Sequence, residues 1–191
     1  LGDQAPRVIT GSEITLDDHD GREQRSTITL LAADHQGYRN LCRLLTRRHT
    51  DENFRLADAV GAHKNGLVVL TQSADLLSRW HTKGVSVVGA MPCRPLPATH
   101  PLRRTADRLG VSVVATPGSF FLDPADMAMH RMLRAIAHNT SSSRLAADEV
   151  APPDAWLAGP QEYEHRFAIC PEAIGATYPI AERLNFRGPQ F

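Results

Sequence analysis

The sequence predicts an α/β fold: mostly parallel strands with helices outside them, left open or bent into an incomplete or distorted (β/α) barrel. Three observations point there. Short apolar, β-branched runs at residues 66–71 (GLVVLT), 85–90 (VSVVGA) and 111–115 (VSVVA) alternate with capped amphipathic stretches, the pattern of a parallel sheet with outer helices. A pair of strand-like runs, 7–16 (RVITGSEITL) and 26–32 (STITLLA), stands in front of them. The 191 residues suffice for a real hydrophobic core, but about three strand–helix units are too few to close a barrel of the eight-unit kind.

The bulk properties narrow the function classes. Basic and acidic residues balance at 21 each, so no global field directs the chain to nucleic acid or an anionic membrane. Cys42, Cys93 and Cys170 are odd in number and far apart; this predicts neither a disulfide framework nor a zinc knuckle, and a reducing cytoplasm as the home. No apolar run reaches membrane-spanning length and no secretory signal is visible. The chain opens on Leu1 and passes quickly into a strand-like run, the expectation being a fragment or processed product.

Taken in order, the two front strands flank Asp17, Asp18, His19, Asp20 and Gly21. Oxygen ligands suit hard cations, but aspartate and glycine also suit turn dihedrals, and the turn reading is preferred. Asp34 caps a helix to about Arg48, with Tyr38, Leu41, Leu44 and Leu45 as its apolar stripe. Its arginines, Arg39, Arg43, Arg47 and Arg48, read as a solvated face in preference to a DNA contact. A short helix is expected near residues 56–60. Ser73 caps another through Trp80, ending near Gly84. Thr99 is the expected cap of a helix to Leu109, closed by Gly110. Cys93 lies at a strand end without a paired histidine in any local motif, and isolated thiols are mostly inert.

The stretch 109–136 is the organising element: a strand, a loop at its carboxyl end, and a helix started by Asp123 and Pro124. That loop position is where α/β folds place their chemistry. Here it offers only Thr116 and Ser119 hydroxyls among Pro117, Gly118, Phe120 and Phe121. Met129, Met132, Leu133 and Ile136 recur at helical spacing and read as a core stripe. Beyond it, residues 139–154 read as a linker, and 155–191 as a helical connector with Phe167, Ile174, Tyr178, Ala181 and Leu184 as its apolar contacts. The predicted division is therefore 1–138, 139–154 and 155–191.

Several stretches in order resemble one family: GSEITL (11–16), TLLAADHQGYRNLCRLLT (29–46), GLVVLTQS (66–73), RLGVSVVAT (108–116), FLDPADMAMHRMLRAI (121–136) and the run from Trp156 to Phe186. They resemble the polymerase-and-histidinol-phosphatase (PHP) domain of bacterial DNA polymerase III alpha subunits, nearest to the error-prone branch. The segment LLA followed four residues later by GYRNL is the most specific piece. The resemblance implies a distorted (β/α) barrel whose strand ends hold a metal centre for phosphoester hydrolysis, metals lowering the pKa of bound water and clamping phosphate charge.

Carried over residue by residue, that implication thins. Glu13 matches the family's glutamate ligand. Thr27 stands where a histidine often precedes the next strand, and Gln72 and Ser73 where Gly-Cys is common. Pro117, Gly118, Ser119 and Phe120 replace an Asn-Asp-Val-His run, removing an aspartate and a histidine. The His-x-His and Asp-His motifs have no counterpart in these residues. One carboxylate cannot hold several metal ions, so Glu13 is expected as a vestigial position, with no catalytic residue and no cofactor, zinc or manganese being the metals if any bind. The resemblance implies a non-catalytic module of a polymerase III alpha-type, error-prone polymerase in replication or repair synthesis. Its partners would be the polymerase core or other replication proteins, with indirect DNA contact, no membrane, and self-association as a further option. The resemblance places the polymerase's own catalytic carboxylates outside this stretch, so this chain alone is expected to be inactive. A metal-dependent phosphoesterase or 3′–5′ exonuclease, using His35, His63, His100 or Asp123, and a free-standing interaction protein derived by truncation are the competing expectations.

Overall fold

Five strands form one open sheet in sequence order in the computed structural model, which describes residues 7–16 and 26–188. They are β1 (Gly11–Leu16), β2 (Ser26–Ala32), β3 (Leu67–Thr71), β4 (Val87–Met91) and β5 (Val113–Ala115). β2 pairs antiparallel with both β1 and β3, while β3–β4 and β4–β5 are parallel. Every strand but β2 therefore points the same way. β3 and β4 are buried along their whole length, as near-continuous apolar strands covered on both faces must be. The first strand begins at Gly11, later than the expected Arg7. The polar run from Asp17 to Gly21 lies outside the described residues.

The helices are α1 (His35–Thr50), α2 (Leu56–Ala62), α3 (Ala74–Thr82), α4 (Pro101–Leu109), α5 (Met127–Ala137), α6 (Pro160–Arg166), α7 (Glu172–Gly175) and α8 (Thr177–Arg183). Local chemistry sets several of their ends. Asp34 accepts from the Gly37 amide at 2.8 Å and Ser73 from the Leu76 amide at 3.3 Å, satisfying donors a helix start leaves open. Gly110 closes α4 in the left-handed conformation at φ 64°. The cap of α4 is His100, whose Nδ1 accepts from Leu102 at 3.2 Å, and not Thr99; Pro101 takes the first turn, which shifts the start by one residue.

Alternation along the strands gives the sheet two faces. On the outer face Ile28, Leu30, Val69, Val87 and Val113 meet Leu41 and Leu44 of α1, Leu77 and Trp80 of α3, and Leu102 of α4. On the inner face Val68, Leu70, Val88, Ala90 and Val114 meet Leu184, with Ala176 and Ile180 alongside. The last helices thus cover part of the face that a closed barrel would turn inward. Phe167, Cys170 and Ala173 extend the outer core.

The GYRNL segment has a physical explanation. Gly37 lies so close to the chain before β3 that a Cβ there would sit 1.8 Å from the Gly66 carbonyl oxygen. Gly66 itself has φ +73°, a conformation that favours glycine. Tyr38 stacks on Phe186 at 4.7 Å. Asn40, 2% exposed, donates to the Asn65 carbonyl at 2.8 Å, and Leu41 enters the core. The segment is a clamp holding α1 against the loop that feeds β3.

Two packing expectations are corrected. Met129, Met132, Leu133 and Ile136 are 54%, 50%, 57% and 70% exposed, and of α5 only Ala135 is buried. The polar side of that helix faces the body instead: His130 Nε2 accepts from the Ala151 amide at 3.0 Å and Arg134 donates to the Glu149 carbonyl at 2.6 Å. Tyr178, expected as an apolar contact, is 71% exposed; it lies in α8, which Ala176 separates from α7.

Candidate functional site

The upper part of the inner face, at the carboxyl ends of β3, β4 and β5, opens into a cleft of about 450 Å³. β2 runs against its neighbours, so its first residues lie at this same end: Ile28 pairs with Thr71 and Thr27 with Thr15. Glu13 sits opposite Thr29 and shares its side of the sheet. The cleft wall accordingly includes Glu13, Thr27, Gln72, Gly118 and Phe120. Of these, Glu13, Thr27, Gly118 and Phe120 are positions at which the resemblance expects metal ligands, while Gln72 stands at the glycine of its Gly-Cys pair. The fold brings them together; Ser73 is absent from the wall, since its hydroxyl caps α3.

The loop after β5 spends its polar atoms on structure. Thr116 donates both its amide and its hydroxyl to the Met91 carbonyl, at 2.7 and 2.9 Å. Ser119 Oγ is 3.1 Å from Tyr163 Oη. Gly118 takes φ +61°, and Phe120, 65% exposed, stands at the cleft wall with its amide bound to the Ala155 carbonyl at 2.8 Å. Asp123 accepts from Ala125 at 3.0 Å and starts a 3₁₀ turn, Pro124–Asp126, ahead of α5. Gly118 and Phe120 thus add no donor side chain to the cleft wall.

The other candidate ligands do not converge here. His35 packs edge-on against Phe186 at 5.2 Å, and His100 caps α4. His63 follows α2, where burial and the charges of Arg43 and Arg47 hold its pKa below the ordinary range. Among the described residues, no three His, Cys, Asp or Glu side chains are grouped so as to hold a metal ion. Glu13 is exposed, and the other soft or acidic group on the cleft wall is the Cys93 thiol.

Cys93 belongs to a contact network that local sequence motifs do not disclose. Its thiol donates to the Asp154 carbonyl at 3.5 Å and accepts from Arg166 Nη1 at 3.6 Å. Arg166 also donates to the Asp154 carbonyl at 2.6 Å and to Glu162 at 2.8 Å, and its guanidinium lies 4.5 Å from the Trp156 ring centre. Burial opposes its charge, but the bonds to Glu162 and Cys93 outweigh that and hold its pKa above the usual arginine value. Asp154 in turn accepts from Arg94 at the cleft wall at 3.1 Å. The i,i+4 spacing of Glu162 and Arg166 was readable in the sequence; the partner 73 residues away was not. Cys170 is a packed thiol, pushed up to about 11 by burial and by its hydrogen bond to Glu172. All three cysteines are free, and no helix among the described residues is long and apolar enough to cross a membrane.

No family model matches the chain. Curated relatives do. The error-prone DNA polymerase of Anaeromyxobacter dehalogenans (strain 2CP-C) is 28% identical over 201 residues, covering 94% of this chain and 18% of that protein. The error-prone DNA polymerase of Mycobacterium tuberculosis (strain ATCC 25618 / H37Rv) is 29% identical over 214 residues, with 94% and 19% covered. The DNA polymerase III subunit alpha of Pseudomonas fluorescens is 25% identical over 216 residues, with 94% and 18% covered. The chain thus spans about a fifth of the length of the curated relatives it matches. Such coverage is consistent with a module of a polymerase of this kind.

Proposed function

We propose that this chain is a non-catalytic, PHP-like module of a DNA polymerase III alpha-type polymerase of the error-prone branch, with a structural or partner-docking role in replication or repair synthesis. One observation carries the reading. Of the positions that the resemblance matches to metal ligands, Glu13, Thr27, Gly118 and Phe120 line one cleft wall while Ser73 caps α3, and among those on the wall Glu13 alone carries a carboxylate, imidazole or thiol. Zinc takes about four donors, and manganese favours several oxygens. Glu13, with Cys93 elsewhere on the wall, does not fit a polynuclear centre. Phe120 adds apolar bulk instead. Near-complete coverage of the chain by polymerase relatives supports the polymerase context. The core and the partners of that polymerase belong to the proposal.

The test is a turnover assay with a phosphodiester substrate and 3′-labelled DNA, in the presence of manganese or zinc. The expected result is hydrolysis indistinguishable from the metal-only blank. Metal-stimulated hydrolysis abolished by Glu13→Ala would instead establish the phosphoesterase or exonuclease reading.

A further inference from the structure

We infer that the outward side of α1–α3 is a contact surface for the phosphate backbone of duplex DNA, engaged without regard to base sequence. The balanced charge of the whole chain conceals a segregation. Residues 35–110, which include α1–α4, hold 12 of the 21 Lys and Arg but 5 of the 21 Asp and Glu. α1, α3 and α4 pack on the outer face of the sheet, and α2 touches both α1 and α3. The surplus therefore collects on one side of the molecule, where it acts as a local field.

α1 is the centre of that side. It has no Asp or Glu between His35 and Thr50, and Arg39, Arg43 and Arg47 stand exposed at i, i+4 and i+8, in one row. Like charges one turn apart repel, a cost to the free helix that a row of anions relieves. The row advances in steps of about 6 Å, close to the roughly 7 Å of axis that two nucleotides occupy along a strand. Among the described residues no carboxylate pairs with Arg39 or Arg43, and Arg43 donates to the Asn40 side chain at 3.4 Å. Arg47 meets Asp51 at 2.9 Å, a surface pair that holds it weakly. Beyond the row, Asp58 accepts from Lys83 at 2.8 Å and faces Arg79 at 3.8 Å. The Lys83 bond, then the charges of Lys83, Arg79 and Arg55, hold its carboxyl below the usual range. One carboxylate thus answers three cations, as His63 answers Arg43 and Arg47.

The kind of anion follows from what this side lacks. No exposed large apolar side chain lies between residues 35 and 110. A protein interface is centred on aromatic or aliphatic anchors, and single-stranded nucleic acid is held on aromatic stacking platforms. Phosphate contacts along a duplex need neither, and the arginine fork fits phosphate. Such a contact is direct, where the resemblance implies an indirect one, and it does not require that the chain serve as a polymerase module.

The experiment is fluorescence anisotropy of a labelled duplex of about 20 base pairs, titrated with the full chain in EDTA at about 50 to 200 mM salt. The expected result is equal affinity for two unrelated sequences, its logarithm falling with that of the salt concentration at a slope of about −3. Arg39→Gln with Arg43→Gln, at exposed positions and with unchanged circular dichroism, should weaken binding at least about 10-fold at the lowest salt and reduce the slope by about 2. Arg144→Gln, exposed beyond α5, should change neither. No duplex binding up to about 100 μM chain at the lowest salt would overturn the inference, as would binding that survives the double substitution. Tighter binding of poly-glutamate or of a single strand than of the duplex would overturn it too, in favour of an acidic protein or a stacked partner. EDTA keeps hydrolysis in the cleft out of the readout, so failure here and failure of the module reading are separate results.

Discussion

Replacing Gly37 by alanine is expected to destabilise the chain by about 3 kcal/mol or more, beyond ordinary overpacking because backbone is what must move. The new Cβ would sit 1.8 Å from the Gly66 carbonyl oxygen, and Gly66 has no freedom to retreat. It holds a positive φ, and a Cβ added to it would in turn collide with the Asp34 cap oxygen and the Gly37 backbone, so the two stretches of chain are already closely packed. The Ala33 amide bonds to the same Gly66 carbonyl at 2.8 Å, so a shift would also disturb the turn from β2 into α1. Urea unfolding followed by circular dichroism measures this directly. The matching control is Gly175→Ala, where nothing lies within 4 Å of the added carbon, and its midpoint should stay close to that of the unaltered chain.

The second large effect is expected at Trp80. Its side chain is 0% exposed in the outer core, and Nε1 donates to the Ala57 carbonyl at 2.9 Å, tying α3 to α2. Trp80→Ala should cost about 3–5 kcal/mol through lost burial and the remaining cavity. Trp80→Phe keeps much of the volume and leaves the Ala57 carbonyl without its donor; its smaller loss, of about 1–3 kcal/mol, isolates the hydrogen bond and the residual void. Calorimetric or denaturant unfolding of the two variants side by side separates packing from hydrogen bonding.

The strands and caps were legible in the sequence because their causes are local. β-branched runs marked β3 and β4, and a side-chain oxygen one residue ahead of an apolar stripe marked Asp34 and Ser73. The cleft was legible through the resemblance, since Glu13, Thr27, Gln72, Gly118 and Phe120 were singled out there and share its wall. What failed were judgements about which side of an element is covered. Periodicity finds the apolar face of α5 but says nothing about what lies against it. The anchors that turn its polar side inward come from residues 142–151, a stretch without periodic signal. Nor does spacing reveal that Cys93, Asp154 and Arg166 meet, because contacts so distant in sequence are set by the packing of α6 on the strand ends. The missing start of α4 at Thr99 is a smaller case: a histidine ring nitrogen can cap as a hydroxyl does.

The central claim is that the cleft has kept its framework and not its metal centre. It rests on Glu13 being the one carboxylate, imidazole or thiol among the matched positions on the cleft wall, with Gly118 and Phe120 where others are expected. The most direct measurement is metal content by elemental analysis, on chain equilibrated with zinc and manganese and then dialysed against metal-free buffer. The account predicts no stoichiometric zinc or manganese in the purified chain. Two or more tightly held ions per chain would contradict it.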